Sequence, residues 1–186
     1  MTNELQGIRI AILATDGFEY VELAEPRRAL EEAGAKTTVV SLQGQKIQGW
    51  NHDKPGESVH VQATLDTAQP SDYDGLLLPG GVQNPDVLRT HQEAVNFVKA
   101  FFSTNKPVAA ICHGPWMLVE ADVLKGRKLT SWPSLKTDII NAGGQWSDEK
   151  VVTDRGLVTS RKPADIPAFN EAMIEEFANK KHYQHA

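Results

Sequence analysis

Eleven residues near the middle of the chain, Lys106 to Trp116, restrict the fold more than any other stretch. Val108-Ala109-Ala110-Ile111 is a short apolar run, closed by Cys112-His113-Gly114-Pro115. A run of that length and β-branching is a strand buried on both faces, which requires helices above and below the sheet. Gly114 permits a tight reversal, and Pro115 suits the first turn of a following helix. The local element is therefore strand, bend, helix, with a cysteine at the bend. Ala110-x-Cys112-x-Gly114 has the pattern of a nucleophile elbow, with Cys in place of Ser and Ala in place of the first Gly. A thiol so placed lies near a helix N-terminus, whose partial positive charge favours the thiolate. The competing reading is an inert cysteine ending a core strand.

The rest of the chain repeats the alternation. Ile8–Ala14 reads as a buried strand, Thr15–Glu19 as a turn, and Glu19–Ala33 as a helix interrupted or restarted at Pro26 and stopped by Gly34. Lys36–Leu42 is a second strand. The polar segment 43–58, with Trp50 exposed in its pattern, reads as a loop or short hairpin before a strand at Val59–Ala63. Gly75–Leu78 is another buried strand, ending in Pro79-Gly80-Gly81. A helical region opens at Asn84-Pro85-Asp86 and continues from Gln92 to Ser103. Beyond the elbow come a helix at 116–123, a short strand at 127–130 and a helix capped by Ser134 running to Asn141. The pairs 151–154 and 157–160 form a hairpin or two sequential strands, and a final helix begins at Pro163 and ends near Lys180. Strands alternating with helices imply a mostly parallel α/β sheet, in which functional residues collect at the carboxyl ends of the strands. The turns at Glu19, Gly80-Gly81 and Cys112 are three such ends. Gly80 and Gly81 can offer backbone N–H groups to an oxyanion, with the N–H of His113 completing the hole.

Composition bounds the rest. At 186 residues the chain suits one domain, 1–186, with a flexible polar tail at about 181–186. The net charge of −5 has no basic stripe, so no nucleic-acid partner is expected. One cysteine excludes an intrachain disulfide and fits a reducing, cytoplasmic setting. Met1–Leu5 shows no leader pattern, and no apolar run suits a membrane span. His52, His60 and His91 have no evident partners. His182 and His185 are a weak pair in the tail, so no metal and no cofactor are expected.

Five segments carry a resemblance. Thr15-Asp16-Gly17-Phe18-Glu19, Leu78-Pro79-Gly80-Gly81, Ala110–Pro115, Thr130-Ser131-Trp132-Pro133 and Ser160–Asp165, in that order, are similar to the PfpI family. That family lies in the class I glutamine-amidotransferase-like superfamily, alongside the Parkinson's-linked stress protein and deglycase. The resemblance implies a flavodoxin-like three-layer sandwich. It implies that Glu19 pairs with Cys112, that Gly81 and His113 form the oxyanion hole, and that His113 is the base. It also implies an acid from a neighbouring subunit at the position of Asp86, where a family relative has Glu, and hence at least a dimer. Gly114 is grouped with Gly80 and Gly81 as an oxyanion or binding residue, and Trp132 and Arg161 are candidates for substrate contact or an interface.

An activated thiol beside an oxyanion hole suits attack on a carbonyl. The expected activity is hydrolysis of reactive aldehydes or their protein adducts, of the glyoxalase or deglycase type. Intracellular peptide hydrolysis by the same Cys112 and His113 is the alternative. A non-enzymatic stress protein whose Cys112 is oxidised to sulfenic or sulfinic acid is the third reading. Glutaminase chemistry is disfavoured, because no His occurs between His113 and His182.

Overall fold

The computed structural model describes residues 4–179. The 181–186 segment with His182 and His185, and the expected helix end at Lys180, lie outside them. Strand β1 (Arg9–Leu13) leads through a turn into a two-residue strand β2 (Phe18–Glu19) and helix α1 (Tyr20–Glu32). Contrary to the expected interruption, α1 is continuous across Pro26. Pro26 is buried on the same stripe as Leu23 and Leu30, so packing offsets its one missing hydrogen bond. Strand β3 (Lys36–Ser41) is followed by β4 (Gln45–Asn51), β5 (Lys54–Val61) and β6 (Ala63–Thr64). The polar segment 43–58 is thus a hairpin: β4 and β5 pair antiparallel, and β2 joins β4 in parallel.

Strand β7 (Gly75–Leu78), helices α2 (Gln83–Leu88) and α3 (Gln92–Ser103), strand β8 (Val108–Ile111) and helix α4 (Trp116–Glu120) come next. Strand β9 (Lys128–Leu129), helix α5 (Lys136–Asn141) and strand β10 (Gln145–Trp146) form a small outlying unit in which β9 and β10 pair in parallel. Ser134 does not cap α5; it sits inside a 3-10 turn, Pro133–Leu135, and the helix starts without a side-chain cap. Strands β11 (Val151–Asp154) and β12 (Leu157–Ser160) form an antiparallel hairpin, and helix α6 (Ile166–Ala178) follows the turn Pro163–Asp165.

The main sheet has the order β11-β12-β8-β7-β1-β3-β6, parallel throughout except for β11. Side-chain alternation splits the core into two layers. Leu76, Leu78, Val108 and Ala110 face α3, α4 and α5. Leu77, Ala109 and Ile111 face α1 and α6. This is the α/β three-layer sandwich with helices on both faces. The chain leaves β1 toward β3 on one side and later fills β7, β8 and β12 on the other. The order therefore reverses between β1 and β7, and the connections diverge there to leave a crevice beyond the strand ends. The Thr15–Glu19 and Pro79–Gly81 turns border that crevice, and Cys112 follows the neighbouring strand β8.

Candidate active site

Cys112 has φ = +61°, a left-handed conformation costing a non-glycine residue about 1–2 kcal/mol. Tertiary hydrogen bonds hold it there: its N–H donates to the Ser160 carbonyl at 3.0 Å, and its carbonyl accepts the Trp132 N–H at 2.9 Å. The Gly114 N–H closes the bend onto the Ile111 carbonyl at 2.9 Å. A Cβ on Gly114 would lie 2.5 Å from the Leu78 carbonyl oxygen. Gly114 therefore builds the elbow and does not face the crevice.

The carboxyl beside the sulfur belongs to Glu22, not Glu19. Glu22 sits in the first turn of α1, is fully buried, and lies close enough to Cys112 for each group to shift the other's protonation. Its Oε2 accepts the Gly80 N–H at 3.0 Å. Burial, with a contribution from the charge of nearby Glu19, pushes the Glu22 carboxyl up to about 8. At neutral pH it is protonated, and its Oε1 is buried without a hydrogen-bond partner. Glu19 is directed elsewhere: its Oε2 accepts the His52 N–H at 3.0 Å, fixing the β4–β5 turn at the rim of the crevice.

Burial also pushes the Cys112 thiol up, and an ionised Glu22 pushes it further. The N–H groups of Gly81 and His113 act against this, stabilising negative charge on the sulfur. The expected lowering of the thiol by a helix dipole is thus overturned. The five-residue α4 begins four residues later, and desolvation dominates. Of the expected oxyanion donors, the N–H groups of Gly81 and His113 lie near enough to the sulfur to favour its negative form, whereas that of Gly80 is already bonded to Glu22. Gly81 has φ = +76°, and a Cβ there would lie 2.3 Å from the Gly17 carbonyl oxygen, so only glycine fits.

Although Cys112 and His113 are sequence neighbours, their side chains meet: Sγ lies 3.2 Å from Nδ1. Burial holds the imidazole down to about 4, so it is neutral at physiological pH and able to accept a proton. The Trp132 ring stacks on it at a centroid distance of 5.8 Å, and Trp116 meets its edge at 5.2 Å.

These groups line a cavity of ≈370 Å³ whose wall includes Glu19, Glu22, Trp50, His52, Gln83, Cys112, His113 and Trp132. Trp50, expected to be exposed, is half-buried in this wall, and His52 and Gln83 came with no sequence signal beyond lying near a turn. Asp86 is exposed on α2 and is outside the cavity wall of its own chain. Arg161 is also outside it. Its guanidinium is bonded to both oxygens of Asp165, at 2.9 and 3.1 Å, and to Asp148 at 2.7 Å, so it anchors the start of α6. Among the described residues no group of three or more His, Cys, Asp or Glu side chains could hold a metal ion.

A strained cysteine after a central parallel strand, with a buried carboxyl and a neutral imidazole beside its sulfur, marks the candidate site of an α/β sandwich protein. The family model described as DJ-1/PfpI family matches residues 8–176, and the chain belongs to that family. It is similar to General stress protein 18 of Bacillus subtilis, 46% identical over 171 residues covering 90% of this chain and 96% of that protein. It is similar also to Protein/nucleic acid deglycase 2 of Escherichia coli, 44% identical over 169 residues covering 89% and 95%. Among solved structures, Drosophila melanogaster DJ-1beta superposes with a TM-score of 0.83 at 28% identity, covering 99% of this chain and 95% of that one.

Proposed function

We propose that this protein is a cysteine-dependent hydrolase of reactive aldehydes and their adducts on proteins, of glyoxalase or deglycase type. The observation that carries the reading is the Cys112 sulfur at 3.2 Å from a neutral imidazole, beside a protonated Glu22, in an open cavity. The resemblance to a protein named as a deglycase supports it. With methylglyoxal, Sγ attacks the aldehyde carbon. The S–H proton passes through His113 to the carbonyl oxygen, giving a neutral hemithioacetal, and the N–H groups of Gly81 and His113 hold the oxygen while it carries charge. Removal of the C1 proton and its return to C2, through His113 and Glu22, converts the adduct to a thioester of lactate. Water then cleaves the thioester, releasing lactate and restoring the thiol, with no net oxidation. On a protein adduct the same attack releases the amine or guanidine of the modified side chain.

The proposal includes a cytoplasmic homo-oligomer of at least two chains, in which the exposed Asp86 serves the His113 of a second copy. Among the described residues no helix is long and apolar enough to cross a membrane.

Purified protein converts methylglyoxal to lactate, measured by enzymatic lactate assay; consumption no faster than in buffer overturns the reading. The cavity wall contains Glu19 and no Lys or Arg side chain. Neutral methylglyoxal is therefore used in preference to the anion glyoxylate. In Glu19→Gln the ratio of kcat/KM values for glyoxylate and methylglyoxal rises about tenfold, the effect of roughly 1–2 kcal/mol from one charge in a half-enclosed site. An unchanged ratio removes Glu19 from substrate selection.

A further inference from the structure

We infer that Asn84 is the positioning residue of this site, holding two consecutive backbone N–H groups beside Glu22 and Cys112. Asn84 lies in α2, is 1% exposed, and its side chain is fully bonded to backbone. Its Oδ1 accepts the Thr15 N–H at 2.8 Å. Its Nδ2 donates to the carbonyls of Pro79 and Gly80, each at 3.1 Å. Thr15 lies just past the end of β1, and Pro79 and Gly80 just past the end of β7. Those backbone groups have left the strand ladder and are buried where the sheet order reverses. An orphaned donor and two orphaned acceptors there require one side chain that both accepts and donates. An amide does so; a carboxylate or an aliphatic chain does not.

The consequence reaches the chemistry through peptide planarity. In a trans peptide the carbonyl and the N–H point in opposite directions across one rigid plane. No peptide in the described chain is cis. The Pro79 carbonyl shares its plane with the Gly80 N–H, which donates to Glu22 Oε2 at 3.0 Å. The Gly80 carbonyl shares its plane with the Gly81 N–H, which lies beside both Glu22 and Cys112 and favours negative charge on each. One NH₂ group, by holding both carbonyls, sets the direction of both N–H groups. The Glu19 N–H, 3.3 Å from the Gly80 carbonyl, holds the second plane from the other side. Both planes consist largely of glycine, which has no side chain to fix its own rotation, so the restraint must come from outside the turn.

The inference rests on Cys112 being the reacting group and is independent of the substrate. The primary readout is therefore alkylation of Cys112 by iodoacetamide as a function of pH, followed by intact mass. Asn84→Asp keeps the volume, and Asn84→Ala keeps neutrality. Both are expected to alkylate about tenfold more slowly at pH 8.5, as loss of one donor to the thiolate raises the thiol by about one pH unit. In methylglyoxal turnover the same variants lose kcat about ten- to hundredfold, with KM within about twofold. Alkylation profiles matching wild type in either folded variant, with only the melting temperature lowered, would overturn the inference and leave Asn84 a packing residue. Should neither variant fold, hydrogen exchange in the unmutated protein decides: the Thr15 amide is expected to be among the slowest to exchange, and rapid exchange there refutes the clamp. Absence of methylglyoxal turnover in wild type would count against the proposed substrate while leaving the alkylation result to stand.

Discussion

Cys112→Ala consumes methylglyoxal no faster than buffer, a loss of at least about 1000-fold in kcat, while retaining the fold. The oxyanion donors are backbone groups and survive the substitution, so any residual turnover would measure what they achieve without a nucleophile. Cys112→Ser is nearly as inactive. A hydroxyl is far harder to deprotonate than a thiol, and an imidazole held down to about 4 is a weak base for it. The strained backbone gives a second, independent readout. At φ = +61° a Cβ is a liability and glycine is at ease. Cys112→Gly is therefore expected to equal or exceed Cys112→Ala in stability, by up to about 1 kcal/mol in chemical denaturation, and to be equally inactive. If Cys112→Ala retains more than a few per cent of wild-type turnover, the sulfur is not the nucleophile. If Cys112→Gly is the less stable of the two by more than about 1 kcal/mol, the bend is not strained in solution.

The elbow was legible because its signals agree: an apolar run of strand length, then a cysteine, then Gly-Pro. The sheet followed from the same alternation. The acid at the sulfur was harder to find. Glu19 and Glu22 lie three residues apart, and the turn attracts attention to the first. The discriminating signal is helical phase. Glu22, Pro26 and Leu30 recur at four-residue spacing on the stripe that α1 buries. A carboxyl on an apolar stripe must be protonated or paired, which is what Glu22 does. Residue Asn84 gave less warning, since Asn before Pro is ordinary turn chemistry. Its importance depends on two carbonyls 4 and 5 residues back and an N–H 69 residues away. The hairpin at 45–61 was only partly legible: the end of β5 alternates, but most residues of β4 and β5 are exposed, so segment 43–58 reads equally as a loop. Of the two places read for Arg161, substrate crevice or interface, the crevice is ruled out for a tertiary reason: Asp148, on another loop, and Asp165 hold its guanidinium.

Glu22→Gln is expected to remove the alkaline loss of stability and to slow turnover about a hundredfold. The folded protein holds the Glu22 proton up to about pH 8, against 4.5 for an ordinary carboxyl. The folded state therefore binds more protons than the unfolded state in that window, and stability falls as pH rises through it. His113 acts oppositely. Its folded value of about 4 lies below the ordinary 6.5, so stability is lost as pH falls through that interval. Between about 4.5 and 6.5 the two contributions oppose each other and the profile is nearly flat. Above 6.5 the His113 contribution is constant and Glu22 acts alone. From pH 6.5 to 8 the wild type loses about 2 kcal/mol in urea denaturation, at about 1.36 kcal/mol per pH unit for one proton. The amide introduced by Glu22→Gln would keep an oxygen for the Gly80 N–H and is a neutral copy of the protonated acid that cannot titrate. The variant's profile over the same interval is expected to stay within about 0.5 kcal/mol. Removing the ionised form also removes the charge that pushes the thiol up, so alkylation at pH 9 becomes faster in Glu22→Gln than in wild type. Turnover still falls, because an amide cannot relay the C1 proton. Equal alkaline slopes in the two proteins would show that Glu22 is ionised at neutral pH, and the proton relay through it would have to be abandoned.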